Sequence, residues 1–214
     1  MCGRFTLSAN LGTFMDEFHL NAGIPDYSPR YNIAPGQNIL VITEGPGARE
    51  LSQMRWGLIP HWAKDKKIGY KMINARSETI DQKPAFKNSF LHRRCLIPAD
   101  GFYEWKKTGG GKQPLHIFLP GKTVFAFAGI WDYWKSSEGT GIFSCSIITT
   151  EANEDIQDIH DRMPVMLAGE REYSTWLRVD EPALLKELLK PYKGKMHAST
   201  LGFCGVDSDL TYRK

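Results

Sequence analysis

Cysteine is scarce in this 214-residue chain, and none of its four copies (Cys2, Cys95, Cys145, Cys204) stands in a CxxC pair. Such wide spacing argues against a zinc site or a disulfide framework and fits a reducing cytosol. Long apolar runs are missing as well. The longest, Val124 to Trp131, falls well short of the ~20 residues that cross a bilayer. Residues 1–20 carry Asp16 and Glu17 where a secretory signal would have an apolar core. No membrane association is expected, and the expected location is cytoplasmic. The sequence has no internal repeat, low-complexity tract or evident linker, so a single domain over residues 1–214 is expected. Thr108 to Lys112 holds three glycines but no Gly-Lys-Ser/Thr follows, so it reads as a hairpin turn and not as a phosphate loop.

A strong excess of one charge is also lacking: the net charge is only +3. Its distribution is uneven. Residues 53–113 hold 13 Lys/Arg against 5 Asp/Glu, a balance of +8, which leaves −5 for the remainder. One reading is a basic face for an anionic polymer; the other is a solvated, lysine-rich surface.

What is present is an ordinary globular balance, 42% hydrophobic with 24% charged. Ser8 or Asn10 can cap a helix running to about Leu20, with Leu11, Phe14, Met15 and Phe18 at helical spacing toward the core. Residues 21–36 are turn-rich, with Pro25, Pro29 and Pro35. Strands are expected over Asn38–Thr43 and Glu50–Gly57, followed by a loop dense in aromatics and cations from Trp56 to Lys67. A short helix is expected near Pro84–Leu91. The middle is β-rich, with strand character over Arg94–Pro98, Gly101–Lys107, Leu115–Leu119, Val124–Ile130 and Gly141–Thr149. Asn153–Ile159 reads as a short helix, Met163–Leu167 as a strand, and Glu170–Arg178 as a helix. A final helix is expected with Asp180 as its cap and Pro182 in its first turn. The fold class is α+β: a mainly antiparallel sheet that curls toward a barrel, flanked by short helices.

The chemistry centres on the opening Met1-Cys2-Gly3-Arg4-Phe5. Removal of Met1 would leave Cys2 with an α-amine and a thiol on adjacent carbons. An amine near pH ~8 and a thiol near ~8.5 are both partly reactive at neutral pH. An aldehyde can form a Schiff base with the amine, and the thiol can then close a five-membered thiazolidine. Arg4 adds a permanent cation beside the nucleophile. Glu104, in Gly101-Phe102-Tyr103-Glu104-Trp105, shares a strand face with Phe102 and can exchange protons if held among aromatics; an outward, half-exposed Glu is the alternative. His160, between Asp158 and Asp161, can deliver a proton to a leaving oxygen. Asn74, close to Arg76, offers an amide to fix a backbone or a nucleophile.

Together with Arg30-Tyr31-Asn32-Ile33-Ala34-Pro35, Trp56-Gly57-Leu58-Ile59-Pro60, Ile73-Asn74-Ala75-Arg76-Ser77-Glu78, Arg94-Cys95-Leu96-Ile97-Pro98-Ala99 and Ile159-His160-Asp161-Arg162-Met163-Pro164, these pieces resemble the SOS-response-associated peptidase family. The pieces come in the family's order and spread over residues 1 to about 190. The resemblance implies a role in the response to DNA damage: a sensor and shield of abasic sites in single-stranded DNA, acting through a covalent thiazolidine crosslink at Cys2. It implies that Asn74 positions Cys2, Glu104 moves protons and His160 helps open the deoxyribose ring. By the same resemblance Arg4, Arg76 and Arg162 contact phosphates, Trp56, Leu58, Ile59 and Trp62 stack on or wedge between bases, and Pro35 and Met163 line the DNA path. It implies no metal and no cofactor. The expected partner is abasic single-stranded DNA, the protein is expected to be a monomer, and the bound protein is expected to travel with the nucleoid. Two other readings stay open: a hydrolase using Cys2 as an N-terminal nucleophile with self-removal of Met1 (strand-lyase activity being a further possibility), and a non-covalent reader of damaged or modified DNA. One stretch departs from the pattern. Where the family carries a Pro-Val-Ser stretch and a Val-Asn pair, this chain reads His197-Ala198-Ser199-Thr200-Leu201-Gly202-Phe203.

Overall fold

The computed structural model describes residues 2–21 and 27–200. Expectations for Pro25, Cys204 and the departure from Leu201 onward lie outside the described residues. Among the described residues, strands run β1 (Phe5–Leu7), β2 (Arg30–Ile33), β3 (Asn38–Glu44), β4 (Arg49–Trp56), β5 (Asn74–Arg76), β6 (Arg94–Ala99), β7 (Gly101–Thr108), β8 (Gly111–Phe118), β9 (Phe125–Lys135), β10 (Gly141–Glu151), β11 (Arg162–Pro164), β12 (Met166–Leu167) and β13 (His197–Thr200). The helices are α1 (Leu11–Phe18), α2 (Lys87–His92), α3 (Glu170–Arg178) and α4 (Pro182–Leu188), with 3₁₀ turns at Lys66–Lys71 and Ser77–Thr79.

The sheet does close. β10 pairs with β4, β4 with β3, β3 with β6, β6 with β9, and β9 returns to β10. A second sheet, in the order β13-β8-β7-β1-β2, packs against this barrel. Pairing is antiparallel throughout except where β10 meets β4 and β5. The architecture is therefore the mainly antiparallel, barrel-like α+β fold expected from the sequence.

Phe5 shows why the two sheets lock together. Strand β1 belongs to the second sheet, yet the Phe5 ring meets Trp56 edge-on at 5.3 Å and Phe127 at 5.7 Å, both on barrel strands. Edge-to-face pairs of this kind add to the gain from burying the rings. Asn10 caps α1 by accepting from the Thr13 amide, and Phe14 and Phe18 bury beneath it. Two local expectations fail. Residues 153–159 form successive turns and no helix, since the segment must reverse between β10 and β11. The cap of α4 is Glu181, not Asp180. Asp180 instead reaches Arg94, 3.2 Å away.

Candidate active site and nucleic-acid interface

Burying Phe5 fixes the residues before it. The backbone continues the β1–β7 pairing past Phe5, with the Tyr103 amide donating to the Arg4 carbonyl at 2.9 Å. Antiparallel register then sets Gly3 and Cys2 opposite Glu104 and its neighbours. Cys2 is fully buried, and Glu104 is only 2% exposed. The outward alternative for Glu104 is thereby excluded. Asn74 arrives from the other sheet: β5 lies along β10, with Asn74 opposite Ile147. Its Nδ2 donates to the Cys2 carbonyl at 2.9 Å, while its Oδ1 is buried with no hydrogen-bond partner among the described residues.

Burial, reinforced by the Glu104 carboxylate, pushes the Cys2 thiol well above the ordinary thiol range. Its Sγ lies 3.9 Å from the Arg4 carbonyl, a weak acceptor contact. The thiol is therefore protonated at neutral pH and is not a free-standing thiolate nucleophile.

His160 enters from the turn ahead of β11. β10 carries β5 on one edge and β11 on the other, so one strand supports both the Asn74 and the His160 segments. Two contacts at Nδ1 demand opposite protonation. The Arg162 amide donates to Nδ1 at 3.0 Å, whereas the Asp161 carboxylate at 2.7 Å needs a hydrogen there. Together these two contacts fix the orientation of the ring.

The expected DNA contacts divide. Arg4 is half-buried, its guanidinium tied to Asn32 Oδ1 at 2.9 Å. Arg76 is exposed, Pro35 is half-buried in the turn after β2, and Trp62 is 52% exposed. Trp56, Leu58 and Ile59 are completely buried, and the Trp56 indole N–H donates to the Ile73 carbonyl. No base can reach those three side chains here; their apolar surface closes the core. Met163 is likewise buried and accepts from the Asn153 amide through its sulfur. Arg162 is 9% exposed and is held by both Glu78 oxygens and the Thr149 carbonyl. Its charge answers Glu78, so the free-phosphate role expected of it is not available in this structure. Burial alone would push the Glu78 carboxyl up, but the Arg162 guanidinium, with Glu78's own backbone amide and Ser77, together hold it below the usual range.

Trp62 sits on a loop that is clamped along its length. Gly57, at φ 127°, passes so close to Gly69 that a Cβ on Gly57 would lie 2.6 Å from the Gly69 carbonyl oxygen. Only glycine fits that approach. Ser144 accepts from the Ile59 amide, Asp132 accepts from the His61 amide at 2.9 Å, and Trp134 donates to the Ala63 carbonyl. Asp132 and Asn32 were not found from the sequence. Asn32 lies inside a quoted motif and could have been; Asp132 is 71 residues from its partner His61, and no local signal marks it.

A family model described as SOS response associated peptidase (SRAP) matches residues 1–204. The chain is 48% identical over 197 residues to "Abasic site processing protein YoqW" of Bacillus subtilis (strain 168), covering 90% of this chain and 88% of that protein. It is 35% identical over 182 residues to "Abasic site processing protein HMCES" of Gallus gallus, covering 71% of this chain but only 54% of that longer protein. A crystal structure of a Bacteroides thetaiotaomicron protein superposes with a TM-score of 0.82 at 28% identity, over 94% of this chain and 93% of that one.

Proposed function

Because this chain belongs to the SOS response associated peptidase family, we propose that it processes abasic sites in single-stranded DNA by bonding covalently to the lesion through Cys2. The observation that carries the reading is that buried Cys2 and Glu104 lie together on the β1–β7 pairing, with the Cys2 carbonyl held by half-buried Asn74. Loss of Met1 converts the Cys2 nitrogen from an amide into an amine. The unpartnered Asn74 Oδ1 lies within the same side-chain amide and offers that amine an acceptor.

The steps follow from the protonation states. His160 passes a proton to the ring oxygen of the closed deoxyribose as the C1′–O4′ bond breaks and the C1′ hydroxyl gives its proton to solvent, leaving the open-chain aldehyde. The Cys2 amine adds to the aldehyde carbon, and Glu104 relays protons as water leaves and a C=N bond forms. The thiol, kept protonated by burial, then adds its sulfur to the imine carbon while its proton passes to the nitrogen. A C–S bond closes the thiazolidine, and no oxidant or reductant is needed. The same protonated thiol disfavours a thiolate hydrolase. Arg4 and Arg76 hold the phosphates, and Trp62 stacks on a base.

The test compares protein lacking Met1 with protein bearing a non-removable N-terminal extension, each incubated with an abasic single strand. Denaturing electrophoresis and intact mass read the outcome. A heat-stable adduct, lighter by one water than the sum of its parts and confined to the processed protein, is expected. The same adduct formed by the extended protein would falsify the amine-first mechanism.

A further inference from the structure

Strand β1 carries Cys2 into the site, yet its own ladder is brief. It pairs with β7 through Phe5 and Thr6, and with β2 through Phe5 and Leu7, where the register shifts between the two. Side chains alternate along a strand, so a slip of one residue would turn Cys2 to the other face and carry it about 3.3 Å along the sheet. Phe5 sets the depth of β1 in the core. Its position along the sheet needs a second restraint.

That restraint lies at the far end of the strand. Asp100, half-buried between β6 and β7, accepts from the Thr6 hydroxyl with one carboxylate oxygen. The other oxygen accepts from the Ser8 amide, the Ser8 hydroxyl at 2.8 Å and the Ala9 amide at 2.9 Å. The Asp100 amide in turn donates to the Thr6 carbonyl at 2.9 Å. Thr6 is buried, and its Oγ1 also lies 3.2 Å from His116 Nε2. Gly101 makes room for that ring, since a Cβ there would sit 2.2 Å from Nε2.

We propose that Asp100 is a positioning residue: its carboxylate locks the register of β1 against β7 and so holds Cys2 beside Glu104. The inference rests on Cys2 being the residue that bonds to the lesion. Asp100 stands four positions before Glu104, and Thr6 four positions after Cys2, on strands that run antiparallel. Clasp and site are thus the two ends of one strand pair, and Asp100 acts on Cys2 through the strand between them. Hydrogen bonds to a carboxylate are roughly twice as strong as neutral ones, which suits a lock on so brief a ladder. Helix α1 does not depend on it, because Asn10 caps that helix through the Thr13 amide.

Iodoacetamide labelling of protein lacking Met1, read by peptide mass mapping, tests the clasp without DNA. In Asp100→Asn the Cys2 labelling rate is expected to rise roughly tenfold over wild type, the scale of one hydrogen bond to a charged group, because a slipped strand returns the thiol to water. Cys95 and Cys145, buried on barrel strands, are internal controls that should not change. General destabilisation would raise all three. On an abasic single strand the same variant should lose roughly tenfold or more in maximal crosslinking rate, with the half-saturating protein concentration unchanged. Thr6→Val removes one donor and keeps the shape; it should raise Cys2 labelling roughly threefold, and it carries the comparison if Asp100→Asn does not fold. In a folded variant, unaltered Cys2 labelling, equal rises at all three cysteines, or a crosslinking loss confined to half-saturation overturns the positioning role. Failure of abasic processing itself would look different: no crosslink by the wild type, with the labelling pattern intact.

Discussion

Trp56 and Trp62 stand six residues apart in one segment, and Arg76 and Arg162 both sit in short strands on β10, yet within each pair one side chain is buried and the other reaches solvent. Trp56 ends β4 on the face that meets Phe5 and Cys145, and is wholly buried. Trp62 follows Pro60 on a loop already fastened to β10 and β9, which leaves its ring half in solvent. Arg162 folds back over Thr149 to Glu78, whereas Arg76 stays exposed at the end of β5. Residue type marks a side chain as able to stack or to bind phosphate. Whether it does so depends on what the rest of the chain places against it.

The sharpest way to break this contrast is to truncate both tryptophans. Trp56→Ala is expected to cost about 3–5 kcal/mol of stability, the usual penalty for emptying a large core site. Trp62→Ala should change stability by less than about 0.5 kcal/mol. Chemical denaturation compares them directly, and similar midpoints for the two variants would dissolve the distinction. Next in size, Glu104→Gln keeps the buried shape but removes proton transfer. A fall of about 10²-fold in crosslinking rate is expected with DNA affinity nearly unchanged, measured by single-turnover gels alongside binding to an intact strand.

The two arginines give a smaller separation. Arg76→Ala should weaken binding to every sequence and reduce the slope of log affinity against log salt by about 1. Arg162→Ala should leave that slope in place, so equal slopes for the two variants would count against the division. Smallest is the pH effect. Glu78 is held below its ordinary value, so its pairing with Arg162 contributes fully above about pH 4.3, the unfolded value. That contribution fades as the pH falls through the lower folded value. Urea midpoints between about pH 3 and 7 should drop toward acid, and less steeply in Arg162→Ala.

Much of this was legible in advance where the information is local. The spacing of Leu11, Phe14, Met15 and Phe18 placed α1, and the alternation in Gly101–Lys107 placed β7 with Phe102 and Glu104 on one face. The glycine run at Thr108–Lys112 marked the β7–β8 turn. Asn74 could be nominated from its motif, and in the fold its Nδ2 donates to the Cys2 carbonyl. What local pattern could not supply was depth. Leu58 and Ile59 sit in a loop whose composition suggests exposure, but Ser144 and Asp132 pull that loop flat against the barrel. Likewise 153–159 has helical composition, and the tight return from β10 to β11 imposes turns. The first misreading comes from contacts 71 and 85 residues away in sequence, the second from the short return between Glu151 and Arg162.

The enclosed thiol of Cys2 has a bearing on storage. Peroxides and disulfides attack sulfur chiefly as the thiolate and chiefly where they can reach it. In the chain that still carries Met1, Cys2 offers neither charge nor surface, and Cys95 and Cys145 are buried as well. While Met1 is in place, burial therefore shields these three sulfurs from oxidants in bulk water. Shelf life and reactivity are set by the same burial.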